Sequence, residues 1–337
     1  MPELPEVETI RRQLCDAGVE GRIIEKVSIG WPRTVDPLSP AAFRKQVVGR
    51  TIEKLSRHGK WLIFELEPIN PPRPTATPPV EGNRKCAVAE IPSEGGVPER
   101  RGGYSPSFNL LVHLRMTGGF YLSQGFLRKG PYDRVVLQLS GGLNLHFRDP
   151  RKFGRMRLEP SPAGRALLYP ESLCCHDQNS TGSRIQEACP TIKRLGPDVL
   201  AITKKQFFQS LEKKNRGLKA LLLDQSFIAG IGNIYADEAL FEARLHPERR
   251  SSSLSDDERV ALFRAVKRVI KAGVRNGGTS LGDGQGNYTD LNGESGGHRE
   301  KVKAYGRAGQ SCVACGHPLQ KTKLAQRTTV FCPHCQV

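Results

Sequence analysis

The chain has 337 residues, with 51 Lys and Arg against 34 Asp and Glu, so its formal net charge is +17 at pH 7. This length suits two domains with substantial cores, and the surplus of cations indicates a polyanionic partner, with nucleic acid favoured over a membrane surface. No stretch approaches the roughly 18 uninterrupted apolar residues of a membrane span, and the first residues do not have the pattern of a signal peptide. We therefore expect a soluble intracellular protein.

The first eight residues, Met-Pro-Glu-Leu-Pro-Glu-Val-Glu, support two readings. Proline followed closely by acidic residues is typical of a helix start, and Val7, Ile10 and Leu14 would form its apolar face. Alternatively, removal of Met1 would leave Pro2 with a free secondary amine. Because an α-amino group titrates near pH 8, roughly two units below lysine, part of it is uncharged at neutral pH and nucleophilic.

The second reading assigns chemistry to the residues around that amine. A secondary amine that attacks the anomeric carbon of a sugar forms an iminium ion, which acidifies the neighbouring carbon and permits β-elimination. Glu3 would act beside it as general acid or base, and Glu6 and Glu8 are further candidates.

Strand signals dominate the following 140 or so residues. They cover 22–29, 48–67 with a turn at His58-Gly59, 108–122, and a hairpin formed by 135–139 and 143–147 around Ser140-Gly141-Gly142. Residues of about 68–106 are rich in Pro, Gly, Arg and Glu, which predicts a disordered insertion. The pattern predicts an α+β fold in which residues 2–158 form a β-sandwich opened by one helix.

Helical signals follow a second irregular stretch at 159–190, which we interpret as a linker or insertion. Thr203 with Gln206 and Ser255 with Glu258 are capping-box pairs ahead of two helices, and 236–245 is also helical. Residues 191–298 are therefore predicted to form a helical domain. Its end, 273–297, is rich in glycine and we expect it to be mobile.

Four cysteines near the C-terminus have the spacing of a metal site. Cys312, Cys315, Cys332 and Cys335 read C-x2-C-x16-C-x2-C, which suits one tetrahedral zinc ion in a closed structural site. A redox or disulfide arrangement is the alternative. Zinc would stiffen a hairpin over 299–337 that presents cations, among them Arg327.

Three further groups have both a functional and a structural reading. Gly230 and Gly232, just before Asn233, could leave backbone amides free for a phosphate, or could simply form a tight turn between helices. Lys60 is either catalytic or a solvated lysine at a strand end. Arg151 and Phe153 could bind phosphates and wedge into a base stack. Met116 could be another apolar wedge, or it could be a buried core methionine without such a role.

Taken together, these motifs closely resemble the formamidopyrimidine-DNA glycosylase family of base-excision repair enzymes. The resemblance rests on Pro2-Glu3-Leu4-Pro5-Glu6-Val7-Glu8-Thr9, His58-Gly59-Lys60, His113-Leu114-Arg115-Met116-Thr117-Gly118, Asp149-Pro150-Arg151-Lys152-Phe153-Gly154, Gly232-Asn233-Ile234-Tyr235-Ala236 and Gln326-Arg327-Thr328. It implies an N-terminal β-sandwich, a helix-two-turn-helix domain and a C-terminal zinc finger, with duplex DNA bound in the cleft between the domains.

The same resemblance implies roles for individual residues. Pro2 would be the Schiff-base nucleophile and Glu3 its acid-base partner. Lys60 and Arg327 would serve β- and δ-elimination. Residues expected to contact DNA or fill the gap left by the extruded nucleotide are Met116, Tyr132, Arg151, Phe153, Lys214 and Asn233.

The implied activity is that of a bifunctional glycosylase and abasic-site lyase for oxidised purines, with one structural Zn²⁺. Its partner would be double-stranded DNA with oxidised bases or abasic sites, and we expect a monomer that works at the DNA, in the cytoplasm or nucleoid if the source is bacterial. An endonuclease VIII-like enzyme for oxidised pyrimidines and a non-catalytic, zinc-dependent protein that binds damaged DNA are the alternatives.

Two departures from the family pattern stand out. After Thr279-Ser280-Leu281 the chain continues as Gly-Asp-Gly-Gln-Gly, where the family usually has a lysine or arginine, an aspartate and an aromatic residue. The insertions at 68–106 and 160–190 are unusual, and we expect them to affect regulation or solubility more than chemistry.

Overall fold

The computed structural model describes residues 2–68, 107–161, 189–281 and 288–337. The insertion expected at about 68–106, most of the stretch at 159–190, and residues 282–287 of the glycine-rich loop lie outside the described residues.

Strands dominate the N-terminal part of the chain and helices the part that follows, as the sequence predicts, but a second helix among the first strands, Pro40–Val47, was not predicted. The helices are α1 (Leu4–Asp16), α2 (Pro40–Val47), α3 (Pro190–Lys193), α4 (Lys204–Glu212), α5 (Leu218–Leu223), α6 (Asn233–Ala243) and α7 (Asp256–Arg275). The strands are β1 (Ile24–Ile29), β2 (Arg50–His58), β3 (Trp61–Pro68), β4 (Phe108–His113), β5 (Gly119–Gln124), β6 (Asp133–Leu139), β7 (Leu143–Arg148), β8 (Arg155–Pro160), β9 (Gln320–Leu324) and β10 (Arg327–Phe331).

Two antiparallel four-stranded sheets, in the orders β1-β6-β7-β5 and β2-β3-β4-β8, form the N-terminal part. Their inner faces share one buried apolar core, in which the rings of Phe64 and Phe120 lie 6.0 Å apart across the sheets. The central strands are buried along most of their length, and alternate residues face this core: Leu62, Phe64 and Leu66 of β3 lie in it, whereas Trp61 and Ile63 belong to a separate small cluster. The predicted β-sandwich is confirmed, although the strand signal at 108–122 is two strands, and β8 was not foreseen.

The first helix contributes to two cores at once. Val7, Ile10 and Leu14 pack into the sandwich core, whereas Leu4 is fully buried in the core of the helical part. Because the helix start bridges the two cores, Pro2 and the residue after it lie at the junction between them.

The helical part is built on α4 to α7, and the predicted caps are present. The hydroxyl oxygens of Thr203 and Ser255 accept hydrogen bonds from the amides of Gln206 (3.2 Å) and Glu258 (3.3 Å), at the starts of α4 and α7. Such bonds satisfy amides that have no partner within the helix. Helix α5 is a short element that the sequence pattern did not identify.

The C-terminal hairpin of β9 and β10 turns at Ala325 and Gln326, both with positive φ (46° and 61°). Two consecutive left-handed residues match the right-handed twist of the flanking strands. The hairpin packs against α6 through Phe241, which shares a small core with Ala304 and the cysteine-bearing turns.

Candidate active site and DNA interface

Glu3 is buried at the junction, with only 2% of its surface exposed. Its carboxylate accepts hydrogen bonds from the backbone amides of Gly232 (2.8 Å) and Ile234 (3.0 Å), the first residues of α6 and its cap. A carboxylate is stabilised there by the free amides and by the helix dipole. Pro2, which precedes Glu3, is also buried.

This arrangement corrects one reading of the sequence. The pattern Gly230-x-Gly232-Asn233 allows a phosphate site, but the side chain of Glu3 takes up the amides of Gly232 and Ile234, and the amide of Gly230 donates to Gln225. A Cβ on Gly232 would lie 2.3 Å from the Cδ of Glu3, so only glycine fits at this position. Gly232 therefore allows the close approach of a carboxylate from the other part of the molecule.

Glu6 lies one turn further along α1 and is also almost fully buried. It accepts hydrogen bonds from the amide of Glu3 (2.7 Å), the hydroxyl of Tyr235 (2.8 Å) and the amide of Thr279 (2.7 Å). Burial, and then the nearby charge of Glu3, raise the pKa of Glu6 to about 7, despite these hydrogen bonds. A carboxyl group with such a pKa can both take up and release a proton near neutral pH.

Lys60 lies at the turn between β2 and β3 and is 7% exposed, so the solvated alternative is wrong. Burial lowers the pKa of Lys60, Glu3 and Glu6 act in the opposite direction, and Arg327 adds to the lowering. The Coulombic energy of two charges falls with the distance between them, so the charged groups that shift the pKa of Lys60 lie near it. These four residues, spread over most of the chain, therefore share one neighbourhood.

The turn that carries Lys60 is anchored to the helical part. The amide of Gly59 donates to Asp198 (2.7 Å), and the guanidinium of Arg57 lies between Asp198 (2.5 Å) and Glu8 (3.0 Å). Gly59 has φ +56°, and a Cβ there would lie 2.8 Å from the Cβ of Ala229. The ion pairs and the close contact together fix the position of Lys60 relative to the helices.

Two loops at one end of the sandwich present apolar side chains to solvent. Met116 is 37% exposed and Phe153 is 45% exposed, and the guanidinium of Arg151 lies 5.0 Å from the centre of the Phe153 ring. Exposed large apolar groups beside a cation suit insertion into stacked bases. The core-methionine reading of Met116 is wrong.

A buried aspartate connects these two loops. Asp149 accepts hydrogen bonds from the hydroxyl of Thr117 (2.5 Å) and from the amides of Arg151 (3.2 Å) and Gly154 (2.6 Å). Since Thr117 follows Met116 directly, one carboxylate sets the relative position of all three predicted wedge residues.

The other predicted DNA contacts lie on three different elements. Tyr132 is half-buried ahead of β6, with the guanidinium of Arg148 6.0 Å from the centre of its ring. Lys214 is exposed just after α4. Asn233, at the start of α6, donates from Nδ2 to the carbonyl of Thr328 (3.0 Å) in the C-terminal hairpin.

The four cysteines come together as predicted. Their Sγ atoms all lie within 4.8 Å of one another, and the pairs Cys312–Cys335 and Cys315–Cys332 are 4.0 and 3.5 Å apart. A tetrahedral zinc ion with Zn–S bonds of roughly 2.3 Å requires sulfur atoms about 3.8 Å apart. The four thiolates therefore fit one zinc ion.

Sequence reasoning missed the buried residues that attach this hairpin to the helices. Lys219 and Asp237 form a fully buried ion pair between α5 and α6, and the second carboxylate oxygen of Asp237 accepts from the amide of Val330 in β10 (3.2 Å). Lys219 also donates to the carbonyl of Asn233 (3.1 Å). Asp237 follows the recognisable Tyr235-Ala236 motif, whereas no local signal marks Lys219.

Among the described residues, no helix is both long and apolar enough to cross a membrane.

Comparison with known proteins finds related domains in the N-terminal, helical and C-terminal parts of the chain. Residues 1–156 match the formamidopyrimidine-DNA glycosylase N-terminal domain, residues 195–284 match the helix-two-turn-helix domain of the same enzymes, and residues 309–337 match the zinc finger found in these glycosylases and in isoleucyl-tRNA synthetase. Proteins named formamidopyrimidine-DNA glycosylase from Desulfitobacterium hafniense and Deinococcus radiodurans are 37% and 35% identical over all of this chain, covering 100% and 97% of their own length.

Solved structures agree in fold. The MutM (Fpg) protein of Thermus thermophilus is 35% identical, with a TM-score of 0.70 over 99% of this chain and 98% of its own. Lactococcus lactis Fpg, solved in a complex with DNA that contains an abasic site, is 27% identical to this chain, with a TM-score of 0.72 over 99% of both chains.

Proposed function

The chain belongs to the formamidopyrimidine-DNA glycosylase family, and we propose that its chemistry starts at the amine of Pro2. It is a base-excision repair enzyme that removes oxidised purines, such as 8-oxoguanine and formamidopyrimidines, from duplex DNA and then cleaves the strand as an abasic-site lyase. The observation that carries the proposal is the buried meeting of Glu3, Glu6 and Lys60 at the junction where Pro2 lies.

In the first step, the amine of Pro2 attacks the anomeric carbon of the damaged nucleotide and the bond to the base breaks. The nitrogen is then bonded to C1′, and after it loses its proton the C1′–O4′ bond breaks while O4′ takes up a proton. This opens the sugar ring and leaves an iminium ion, which draws electrons from the sugar and makes its C2′ proton acidic. Loss of that proton and of the 3′ phosphate is β-elimination, and loss of the 5′ phosphate is δ-elimination. One nucleophile therefore accounts for both the glycosylase and the lyase activity.

Glu3 and Glu6 transfer the protons that these steps need. Glu3 follows Pro2 directly, and Glu6, which has a pKa of about 7, accepts a hydrogen bond from the amide of Glu3. Glu3 is held by the amides that cap α6, so its carboxylate has a fixed position relative to Pro2. A general acid or base held in place is worth about 10²–10⁴-fold in rate.

Lys60 and Arg327 assist the departure of the two phosphate groups in β- and δ-elimination. The lowered pKa of Lys60 suits a proton donor for the leaving group of β-elimination. Arg327, at the start of β10, brings a permanent cation from the zinc finger to the second phosphate, which leaves in δ-elimination. Four thiolates hold one structural zinc ion that stiffens this hairpin.

Met116, Arg151 and Phe153 fill the space left by the extruded nucleotide. Extrusion of a base costs a few kcal/mol of stacking and pairing, and an inserted apolar side chain recovers part of it. Tyr132, Lys214 and Asn233 contact the surrounding DNA. We propose that the domains span 2–158, 191–298 and 299–337, and that the protein acts as a monomer inside the cell, in the cytoplasm or nucleoid if the cell is bacterial.

The proposal is tested by trapping the iminium ion with borohydride. Untagged protein, with removal of Met1 checked by mass spectrometry, is incubated with a duplex that contains one 8-oxoguanine opposite cytosine. We expect a covalent adduct whose peptide maps to Pro2, and no adduct from Pro2→Gly. Lys60→Met is the matched control, because it keeps the amine and should still be trapped on abasic DNA.

Each other outcome has a distinct meaning. An adduct with thymine glycol but not with 8-oxoguanine would assign the chain to the pyrimidine-specific enzymes. No adduct with any lesion, despite tight DNA binding and a free Pro2, would contradict the covalent mechanism and favour a protein that only binds damage.

A further inference from the structure

Three potential metal ligands outside the reaction centre meet on the surface of the zinc finger. The Sγ atom of Cys315 and ring nitrogens of His317 and His334 all lie within 4.8 Å of one another. Cys315 is half-buried and both histidines are exposed, whereas Cys312 and Cys332 on the inner side are buried. The three groups therefore form the solvent side of the cysteine centre.

The two imidazole rings project from two rigid turns. His317 follows Cys315 by two residues, and its carbonyl accepts from the amide of Cys312 (2.8 Å). His334 lies inside the second turn, where the amide of Cys335 donates to the sulfur of Cys332 (3.4 Å). The rings lie parallel, with centres 4.4 Å apart and planes inclined by 5°.

Rotation of the two rings separates this arrangement from a coordination site, because a bound ion lies in the plane of each imidazole and the two planes are nearly parallel here. Two imidazole nitrogens on a tetrahedral zinc ion, each roughly 2.0–2.1 Å from the metal, lie about 3.3 Å apart. The present separations of up to 4.8 Å close to that value when the exposed rings turn about their side-chain torsions. The backbone of the two turns need not move.

Charge favours a second cation at this place. Four thiolates around one zinc ion leave a net charge of about −2, and Cys315 is one of the two cysteines of the centre that are partly exposed to solvent. A thiolate and two imidazoles form a ligand set for soft or borderline divalent ions such as Zn²⁺ or Cd²⁺, and a poor one for Mg²⁺ or Ca²⁺.

We propose that Cys315, His317 and His334 form a second divalent-metal site on the zinc finger, in which the thiolate of Cys315 bridges to the structural zinc ion. Water completes the coordination of the second ion. Because it has one shared ligand and two exposed ones, this ion exchanges with the surroundings more easily than the structural ion. The site is independent of the glycosylase reaction, since none of its ligands belongs to the junction around Glu3.

Metal stoichiometry of the full-length protein tests the proposal. Protein that retains its structural zinc is titrated with Zn²⁺ in a calorimeter, and bound metal is measured by elemental analysis after gel filtration. We expect a second equivalent in the wild type and its loss in the double variant His317→Asn with His334→Asn, which still holds the first. His246→Asn is the matched control, because its ring contacts Phe331 of the finger from outside the pair.

Cobalt reports on the ligands of the second ion. When Co²⁺ is added to protein with one zinc ion, a bridging thiolate produces a sulfur-to-cobalt charge-transfer band, which the double variant should lack. A wild type that binds only one ion, or a double variant that keeps the second, would overturn the proposed site. A second ion without the charge-transfer band would overturn the bridging role of Cys315.

Discussion

The junction around Glu3 and the exposed edge around Phe153 differ in how much of their side-chain surface is exposed to solvent. At the junction, Glu3, Glu6 and Lys60 are almost fully buried, and the two carboxylates are surrounded by donors from distant parts of the chain. At the edge, Met116 and Phe153 leave 37% and 45% of their surface in water. The cost of burying charge is met during folding, whereas under the proposed wedge role the edge gains its energy only when DNA is bound.

This difference shows how variants of the two regions should behave. A change at the junction alters folding and chemistry together, so it must keep the shape of the side chain. A change at the edge should leave stability unchanged and should act only on steps that require a base to leave the stack.

The largest effect on catalysis is expected from Glu3→Gln. The amide keeps the shape of the side chain but cannot act as a base, so base release in single-turnover kinetics should slow by about 10²–10⁴-fold. Binding to DNA with a stable abasic analogue should change little. Glu25→Gln, an exposed glutamate in β1, is the control, and a Glu3→Gln variant as fast as Glu25→Gln would remove Glu3 from the mechanism.

The largest effect on stability is expected from Lys219→Met. This change removes the cation that pairs with the buried Asp237, so the carboxylate must stay charged without a partner or take up a proton, and such a loss costs about 3–5 kcal/mol of unfolding free energy. Replacement of both partners, Lys219→Met with Asp237→Leu, should recover much of that loss, apart from the bond to Val330. Urea denaturation of the three proteins checks this, and a double variant less stable than the single one would contradict it.

Glu6 should make the stability of the protein depend on pH. Its pKa is raised in the folded protein from 4.5 to about 7, so the unfolded chain loses this proton first as the pH rises. Stability should therefore fall between pH 4.5 and about 7 by about 3 kcal/mol from this group, then level off. Glu6→Gln should remove that part of the slope in urea denaturation at several pH values, and an unchanged slope would refute the assignment.

The smallest effect on stability is expected at the edge, from Phe153→Ala. Half-exposed side chains contribute little to folding, so the unfolding free energy should change by less than about 1 kcal/mol. Release of 8-oxoguanine from duplex DNA should slow by about tenfold, because part of the unstacking cost is no longer recovered.

Cleavage of a preformed abasic site by Phe153→Ala should stay near the wild-type rate, since no base has to leave the stack. Phe126→Ala is the matched control, because Phe126 is 90% exposed and is not one of the predicted wedge residues. Equal slowing on both substrates would show that Phe153 supports the fold of the site and does not act as a wedge.

Local patterns predicted much of this architecture. The apolar period of α1, the caps at Thr203 and Ser255, and the glycine turn between β6 and β7 are interactions among residues close in the chain, and all of them are present. The cysteine spacing likewise needs only two tight turns, so the four thiolates could be recognised from their positions alone.

Local patterns left two readings open where the partner is distant in the chain. The amides at Gly232 and Ile234 have the character of an anion site, and the anion is the carboxylate of Glu3, more than 200 positions away in the chain. The burial of Lys60 depends likewise on Asp198 and Ala229, which hold its turn from the helical part. The hydrophobic pattern within β2 and β3 does not reveal these contacts with Asp198 and Ala229.

The sequence by itself determined the class of most elements, the metal ligands and, through its motifs, the family and the residues that we predict to face DNA. Only the tertiary structure decided which buried charges meet, because α1 packs into two cores and so brings Glu3 and Glu6 against α6 and Thr279. Burial sets the pKa values of Glu6 and Lys60, and burial is a property of the packed domains, whereas a motif is a property of the chain.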